Sequence, residues 1–187
     1  RPWSAVNLTS APDGLAAWSE DDIASYLKTG HGSRGGTFGP MNEVITLSTS
    51  QLNDGDGRAI AVYLKSLPPI ERSPQHKMSD TDFRAGELLY TIHCGTCHLP
   101  TGLGDPSIGP PVAGSSVVQA DDPASLINVI IYGAEVPTPT PPGAWKTMEA
   151  FGNKLDDDEI ALLSSYLRSD WGNRGGPVTE ADVDNAD

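Results

Sequence analysis

The chain has 187 residues and a formal net charge of −13, with a sequence pI of about 4.5. This acidity excludes nucleic acid and anionic membrane surfaces as favourable partners. No apolar run approaches the ~20 residues needed to span a bilayer, and no signal peptide precedes Arg1. The sequence therefore predicts a mature protein without a transmembrane segment, either soluble or peripherally attached.

The first predicted unit covers residues 1–67 and contains two helices. Ser19 is an N-cap candidate with an acidic residue three positions further on, and Gly30 is the matching C-cap candidate. Asn53 is the predicted N-cap of the second helix, which carries apolar residues on one face. The proline pair beginning at Pro68 ends that helix.

Residues 68–79 are polar, contain proline and lack hydrophobic periodicity, so we predict a linker. Asp80 or Thr81 is the predicted N-cap of the next helix, which covers residues 82–93. This helix leads directly to Cys94. It is predicted to be the N-terminal helix of a small helical domain.

Residues 94–98 read Cys-Gly-Thr-Cys-His, the C-x-x-C-H attachment motif of a c-type haem. Cys94 and Cys97 are the only cysteines in the chain, and at this spacing both thiols can add to one porphyrin, with His98 beneath the iron. A thioredoxin-type motif would need a surrounding βαβ pattern, and a zinc site would need two more ligands at matched spacing. Neither pattern is present, so the sequence predicts covalent haem c with its iron. Bacteria attach haem c outside the cytoplasm, so we expect a periplasmic or similarly exported protein.

Met148 is the predicted second axial ligand, on a loop about 50 residues after His98. A His/Met pair gives iron a raised potential and leaves no coordination position for a substrate. Packing is the usual role of a buried methionine, but this one lies in a proline-flanked loop. Met78, in the linker, is a weaker candidate. Met41 lies in the corresponding loop of the first unit and is a ligand only if a second haem is present.

The surroundings of the haem can also be predicted. A haem histidine usually donates its second ring N–H to a backbone carbonyl, and Pro110 provides the candidate acceptor for His98. Trp145 and Tyr132 are candidates for hydrogen bonds to the haem propionates, with hydrophobic packing as the equal alternative. The remaining histidines are expected to face solvent or to have no specific role: His31, His76 and His93.

The chain repeats itself at an offset of 103 residues: residues 22–30 align with 125–133, and residues 52–66 align with 155–169. Asp122 and Asp156 are the predicted N-caps of the second pair of helices, with Pro123 at the first position of the earlier one. The position 103 residues before His98 precedes Arg1. The first unit is then a fragment of a haem domain, a cover for the intact domain, or a helical extension that never held haem.

The predicted fold class is all-α. Residues 80–173 form a complete small cytochrome c-type domain in which the helix before the haem motif crosses the last helix, with Tyr90 and residues 163–167 in contact. The incomplete cytochrome c-like unit of residues 1–67 precedes it. Residues 174–187 form a polar, acidic tail that we expect to be poorly ordered.

These motifs resemble the multihaem cytochrome c subunits of bacterial membrane-bound dehydrogenases, the alcohol, gluconate, sorbitol and fructose types. The matching segments of the middle and third haem domains are residues 7–9, 14–19, 26–30, 38–44, 61–68, 94–98, 109–114, 148–151 and 166–173. The resemblance implies thioether attachment at Cys94 and Cys97 and iron ligation by His98 and Met148. The family's first domain and the front of its middle domain are absent from this sequence, so quinone reduction is not implied. Glu149 stands where the family more often has proline, which is expected to loosen the loop and lower the haem potential slightly.

The predicted function is electron transfer rather than catalysis. Single electrons would pass from the catalytic subunit of a periplasmic or membrane-bound dehydrogenase to the respiratory chain, with quinone, an oxidase or another cytochrome as acceptor. One alternative is the haem segment of a fused quinohaemoprotein dehydrogenase. Another is a haem enzyme, peroxidase or gas-binding, if Met148 is not a ligand. The sequence contains no nucleophile triad, phosphate loop or paired carboxylates that would indicate independent catalysis.

Overall fold

A computed structural model describes residues 1–71, 78–134 and 145–186. Within these ranges the chain is helical, apart from a hairpin of two short strands, β1 (His31–Gly32) and β2 (Gly35–Gly36), and a 3₁₀ turn at Thr49–Gln51. The helices are α1 (Glu20–Thr29), α2 (Met41–Leu47), α3 (Asp54–Ser66), α4 (Asp80–His93), α5 (Gly95–His98), α6 (Ala124–Tyr132), α7 (Asp157–Ser169) and α8 (Glu180–Ala186). The predicted all-α class is confirmed. Among the described residues no helix is both long and apolar enough to cross a bilayer.

Local capping chemistry sets the ends of α1. The Ser19 hydroxyl accepts a hydrogen bond from the Asp22 N–H, and the Asp22 carboxylate accepts one from the Ser19 N–H. Gly30 ends the helix at a φ of 75°, a conformation that favours glycine because a Cβ would be strained there. Both predicted caps are therefore confirmed.

The other caps follow the predictions less uniformly. Asn53 and Asp156 cap α3 and α7 as predicted, each accepting a backbone N–H from the first turn. The N-cap of α4 is Ser79, so the expectation of Asp80 or Thr81 was wrong by one or two positions. Ser79 competes successfully because a hydroxyl one residue earlier reaches the same N–H groups of the first turn.

The start of α6 also differs from the prediction by one position. Pro123 occupies the N-cap, and the helix itself begins at Ala124. The Asp122 carboxylate nevertheless accepts the Ala124 N–H at 2.9 Å. The acid therefore satisfies a free N–H of the first turn from one residue further out than predicted.

The central contact of the second half is the crossing of α4 and α7. At Gly86 the two backbones come so close that an added Cβ would lie 2.5 Å from the Tyr166 Cβ. The Tyr90 and Tyr166 rings pack at the same crossing, with centroids 5.6 Å apart. The predicted contact between Tyr90 and the helix that contains residues 163–167, which is α7, is confirmed. This contact fixes the end of α4 that leads to the haem motif.

The two halves repeat in sequence and helix position but not in packing. Helix α7 begins and ends 103 residues after α3. Leu163 and Tyr166 on α7 are 0% and 3% exposed, whereas their counterparts Ile60 and Tyr63 on α3 are 37% and 64% exposed. The reason is that α4 covers α7, and no helix in the described ranges covers the same face of α3.

The N-terminal residues pack against the second half of the chain. The Ser4 N–H donates to the Ser125 hydroxyl at 2.8 Å, and the Asn128 side-chain amide donates to the Pro2 carbonyl at 2.7 Å. The Arg1 guanidinium lies 3.3 Å from the centre of the Tyr132 ring. These contacts attach the first residues of the chain to α6.

The expectation of a poorly ordered tail at residues 174–187 was wrong for the described part of that segment. Thr179 and Asp182 form reciprocal hydrogen bonds at the start of α8. Val183 and Ala186 are both 1% exposed and join the core formed with α6 and α7. Burial of these apolar side chains offsets the entropy cost of ordering an acidic segment.

Candidate haem site

One cavity of about 380 Å³ contains the predicted haem-binding residues. Its lining combines the haem motif, the Met148 loop and parts of α4 and α6, and most of the lining surface is apolar. All six predicted residues line this cavity: Cys94, Cys97, His98, Pro110, Trp145 and Met148. They are separated by up to 54 positions in the sequence, and the fold brings them together.

The end of α4 shapes the haem motif. The Cys94 N–H donates to the Tyr90 carbonyl at 2.8 Å, and Cys94 then serves as the C-cap of α4. The Cys97 and His98 N–H groups both donate to the Cys94 carbonyl, at 3.1 and 3.0 Å, so the motif forms one tight turn. The Tyr90 hydroxyl donates to the Leu99 carbonyl at 2.6 Å and anchors the chain after this turn.

The His98 ring is held by the backbone of the following loop. Its Nδ1 lies 2.8 Å from the Pro110 carbonyl oxygen, which is the predicted hydrogen bond. Because a carbonyl can only accept, Nδ1 must carry the proton, and Nε2 keeps its lone pair. Burial lowers the pKa of His98, and the opposing effect of the Pro110 hydrogen bond is smaller. His98 is therefore a neutral, oriented imidazole, the form that binds a metal.

The two cysteines differ in exposure. Cys94 is buried and Cys97 is exposed. Burial, with a smaller contribution from the neighbouring Cys97, raises the pKa of the Cys94 thiol to about 12. Cys94 is therefore a protonated thiol at neutral pH, and both cysteines line the same cavity. This pair can attach one porphyrin.

The backbone fixes the Met148 segment. Met148 pairs with Ala134 in an isolated antiparallel bridge, and the Phe151 N–H donates to the Ile130 carbonyl at 2.9 Å. Met148 packs against the apolar core and also lines the cavity. A thioether is a soft donor of the kind that binds haem iron opposite histidine.

Glu149, which was expected to loosen the Met148 loop, forms an ion pair in the structure, and the loosening itself stays a prediction. Its carboxylate pairs with the Lys154 ammonium at 2.5 Å, and that ammonium also lies 5.1 Å from the centre of the Phe151 ring. The pair links the residue after Met148 to the segment that precedes α7. The Lys154 ammonium also compensates part of the negative charge of Glu149, which was expected to lower the haem potential.

Three aromatic or imidazole side chains complete the site. The buried Trp145 Nε1 has no hydrogen-bond partner among the described residues. His31 was expected to have no specific role, but its ring packs 4.2 Å from the Trp145 ring and lines the cavity. His93 also lines the cavity and packs edge-on against Phe151, so the solvent-facing prediction was wrong. Helix α4 turns that side chain inward at its last residue.

The remaining candidates lie elsewhere. Tyr132 packs under the Arg1 guanidinium and is not among the described residues that line the cavity. The Met78 sulfur accepts a hydrogen bond from the Ser169 hydroxyl at 3.4 Å, so Met78 lies against the last residue of α7. Met41 is the first residue of α2, not part of a loop. His76 lies outside the described residues.

The residues present fit a covalently bound haem. Two thiols in one turn, a neutral imidazole and a thioether share an apolar cavity, as attachment and axial ligation require. The unpartnered N–H of Trp145 is a donor that a propionate could satisfy. Sequence reasoning missed the hairpin of residues 31–36, which contributes to the lining. No local signal connects this hairpin with a motif about 60 residues away.

Comparison with known proteins agrees with this geometry. Residues 81–167 match the family model described as cytochrome c oxidase, cbb3-type, subunit III. The chain is 36% identical, over 97% of its length, to the cytochrome c subunit of the quinone-dependent alcohol dehydrogenase of Gluconobacter oxydans. It is 33% identical, also over 97%, to the gluconate 2-dehydrogenase cytochrome c subunit of Pantoea cypripedii.

The chain spans 40% and 44% of the length of these two relatives. Among solved structures, cytochrome cL of Methylophaga aminisulfidivorans is 24% identical, with a TM-score of 0.36 over 57% of this chain and 61% of that one. Both relatives are named as cytochrome c subunits of dehydrogenases, and the C-x-x-C-H motif at residues 94–98 is the attachment motif of c-type haem. The chain is therefore similar over nearly its whole length to the cytochrome c subunits of bacterial dehydrogenases.

Proposed function

We propose that this protein carries single electrons from a dehydrogenase to the respiratory chain by way of haem c with His98 and Met148 as axial ligands. The observation that carries the proposal is the position of Cys94, Cys97, His98 and Met148 around one apolar cavity. When bound, haem iron supplies the one-electron chemistry. The protein's own residues attach the group, orient it and limit its contact with water.

Each residue has a distinct task in this proposal. Cys94 and Cys97 hold the porphyrin by thioether bonds, so that it cannot dissociate. His98 binds the iron through Nε2, and its hydrogen bond to Pro110 keeps the ring in one orientation. Met148 would supply a thioether as the second ligand, which would favour the reduced iron and leave no site for a substrate or gas. The proposed role is thus electron transfer and not haem catalysis.

The proposed donor is the catalytic subunit of a dehydrogenase, because both relatives are named as cytochrome c subunits of such enzymes. The acceptor would be quinone, an oxidase or another cytochrome. We propose a periplasmic location, either free or peripheral on the outer face of the cytoplasmic membrane. A net charge of −13 suits a partner with a basic docking surface, and salt would screen this attraction over about 8–10 Å.

The test uses the haem-loaded protein. Intact mass and a pyridine haemochrome assay count the covalent haem groups, and one per chain of this sequence is expected. Stopped-flow mixing with a reduced, membrane-solubilised dehydrogenase should reduce the haem at a rate that falls as ionic strength rises. Rapid binding of carbon monoxide to the reduced protein, or no reduction by any such dehydrogenase, would contradict electron transfer with a closed iron site. Binding of carbon monoxide would instead favour a haem enzyme with an open iron position.

A further inference from the structure

The cavity has a wall outside the region that matches the family model. That model covers residues 81–167, whereas residues 30, 31 and 34–38 also line the cavity. These residues belong to the β1–β2 hairpin and its two ends. A segment of the N-terminal half therefore contributes directly to the proposed haem site of the C-terminal half.

Hydrogen bonds to α1 hold the hairpin in place. The Ser33 N–H donates to the Asp22 carboxylate at 3.1 Å, and the Ser25 hydroxyl donates to the His31 carbonyl at 2.8 Å. An added Cβ at Gly32 would lie 3.0 Å from the Asp22 carbonyl oxygen, so the hairpin backbone lies directly on the helix. The hairpin therefore presents its cavity-facing residues from a fixed position.

The hairpin contacts the cavity through Trp145. The His31 and Trp145 ring centroids lie 4.2 Å apart with the planes at 60°. A Cβ added at Gly36 would lie 3.5 Å from the Trp145 ring, which is ordinary van der Waals contact. The indole is thus packed against β1 and β2, while its buried Nε1 has no partner among the residues described. This packing fixes the direction of an available donor.

The charges around the cavity point to the same chemistry. Arg34 and Lys146 are the cationic lysine and arginine side chains in its described lining, in a chain with a net charge of −13. The lining carboxylate, Glu149, is paired with Lys154. Haem carries two propionate carboxylates, and carboxylates that leave water need charged or N–H donors. Arg34 and Trp145 supply both kinds of donor.

We propose that the hairpin of residues 31–36 is part of the haem-binding site. The Arg34 guanidinium and the Trp145 Nε1–H bind haem propionate, and His31 is a positioning residue that holds the Trp145 ring. The inference rests on the proposed function in that haem occupies this cavity. It assigns to the N-terminal half a direct role in setting the haem potential, because a cation near the propionates stabilises the reduced form.

The first experiment compares Arg34→Gln with Arg58→Gln in the full haem-loaded chain. Arg58 is a matched control, since it lies on α3 and pairs with Asp21 on α1 outside the cavity lining. Spectroelectrochemistry at the wild-type midpoint gives the ratio of reduced to oxidised haem. Arg34→Gln should lower this ratio about threefold or more, and Arg58→Gln by less than about 1.5-fold. Arg34→Lys, which keeps the positive charge, should recover at least half of the decrease in the ratio of reduced to oxidised haem.

The second experiment follows the Trp145 indole N–H by NMR in the ferric ¹⁵N-labelled protein, with Trp145→Phe identifying the resonance. His31→Ala should shift this resonance and speed its exchange with solvent, and His31→Phe should restore both because it replaces one ring with another. The hairpin proposal is overturned if Arg34→Gln and Arg58→Gln give equal ratios, or if His31→Ala leaves the indole signal unchanged. A wild-type protein without covalent haem would overturn this proposal together with the proposed function. Failure of a dehydrogenase to reduce haem-loaded wild type would overturn the proposed function alone.

Discussion

The close crossing of α4 and α7 predicts that Gly86→Ala destabilises the protein. The added Cβ would lie 2.5 Å from the Tyr166 Cβ and 2.7 Å from the Leu162 carbonyl oxygen. No side-chain torsion can relieve either contact, so the cost should reach the upper end of overpacking, about 3 kcal/mol. Alanine regains about 1 kcal/mol of helix propensity over glycine. The net loss is then about 2 kcal/mol, which lowers Tm by about 4–8 °C in a chain of this size.

Gly57→Ala in α3 is the matched control for this substitution. Gly57 also lies within a helix, but no heavy atom would lie within 4 Å of its added Cβ. This variant should gain about 0.5–1 kcal/mol. Urea unfolding of the haem-loaded variants, followed by far-UV circular dichroism, measures both changes. Equal stability of the two variants would refute the close crossing and the packing argument built on it.

Three further predictions concern the C-terminal helix α8, the stability of the fold at low pH and the docking of a partner. Val183→Ala should cost about 2 kcal/mol in urea unfolding because Val183 is buried against α6 and α7, whereas an unstructured tail would show no change. Burial opposes ionisation of Asp22, but hydrogen bonds from Ser19 and Ser33 outweigh it and lower its pKa from 3.8 to about 2. The ionised carboxylate therefore stabilises the fold above about pH 4. This contribution disappears as the pH falls towards 2. In Asp22→Asn the free energy of unfolding should therefore depend less on pH between about 4 and 2 than in the wild type. An equal pH dependence in both proteins would show that the hydrogen bonds to Asp22 are absent in solution. Glu149→Lys should change the low-salt rate of reduction more than Glu180→Lys, and equal stopped-flow rates would remove Glu149 from the docking surface.

Capping residues were predictable from sequence because the relevant contacts span only three or four positions. Ser19, Asn53 and Asp156 each reach an N–H in the first turn of their own helix, whatever the rest of the chain does. The error at α4 has the same local origin. Ser79 and Asp80 are both good capping residues, and sequence alone does not rank two adjacent candidates.

The tail helix was missed because composition was given more weight than pattern. Thr179 and Asp182 have the spacing of a capping pair, and Val183 and Ala186 are three residues apart on one face. These signals occur in a segment rich in acids, which suggests disorder when it is read by composition alone. The apolar pair is stabilised by contact with α6 and α7, and sequence position does not reveal that contact.

The candidate site also contains residues that the sequence predicted and residues that it did not. The motif residues and Pro110 were identified because attachment and histidine orientation impose short, recognisable spacings. His31 was dismissed because its contact with Trp145 joins residues more than a hundred positions apart. His93 was misassigned because it lies at the last position of α4, where the helix phase no longer determines which way the side chain faces.

The most direct test of the account is the axial ligation by Met148. The ferric haem-loaded protein should show a far-red sulfur-to-iron charge-transfer band, and Met148→Ala should abolish it and lower the midpoint potential while leaving the haem attached. Met41→Ala and Met78→Ala are matched controls, because neither residue lines the described cavity, and both should keep the band. A band that survives in Met148→Ala, or one that is absent from the wild-type protein, would contradict the proposed His/Met site.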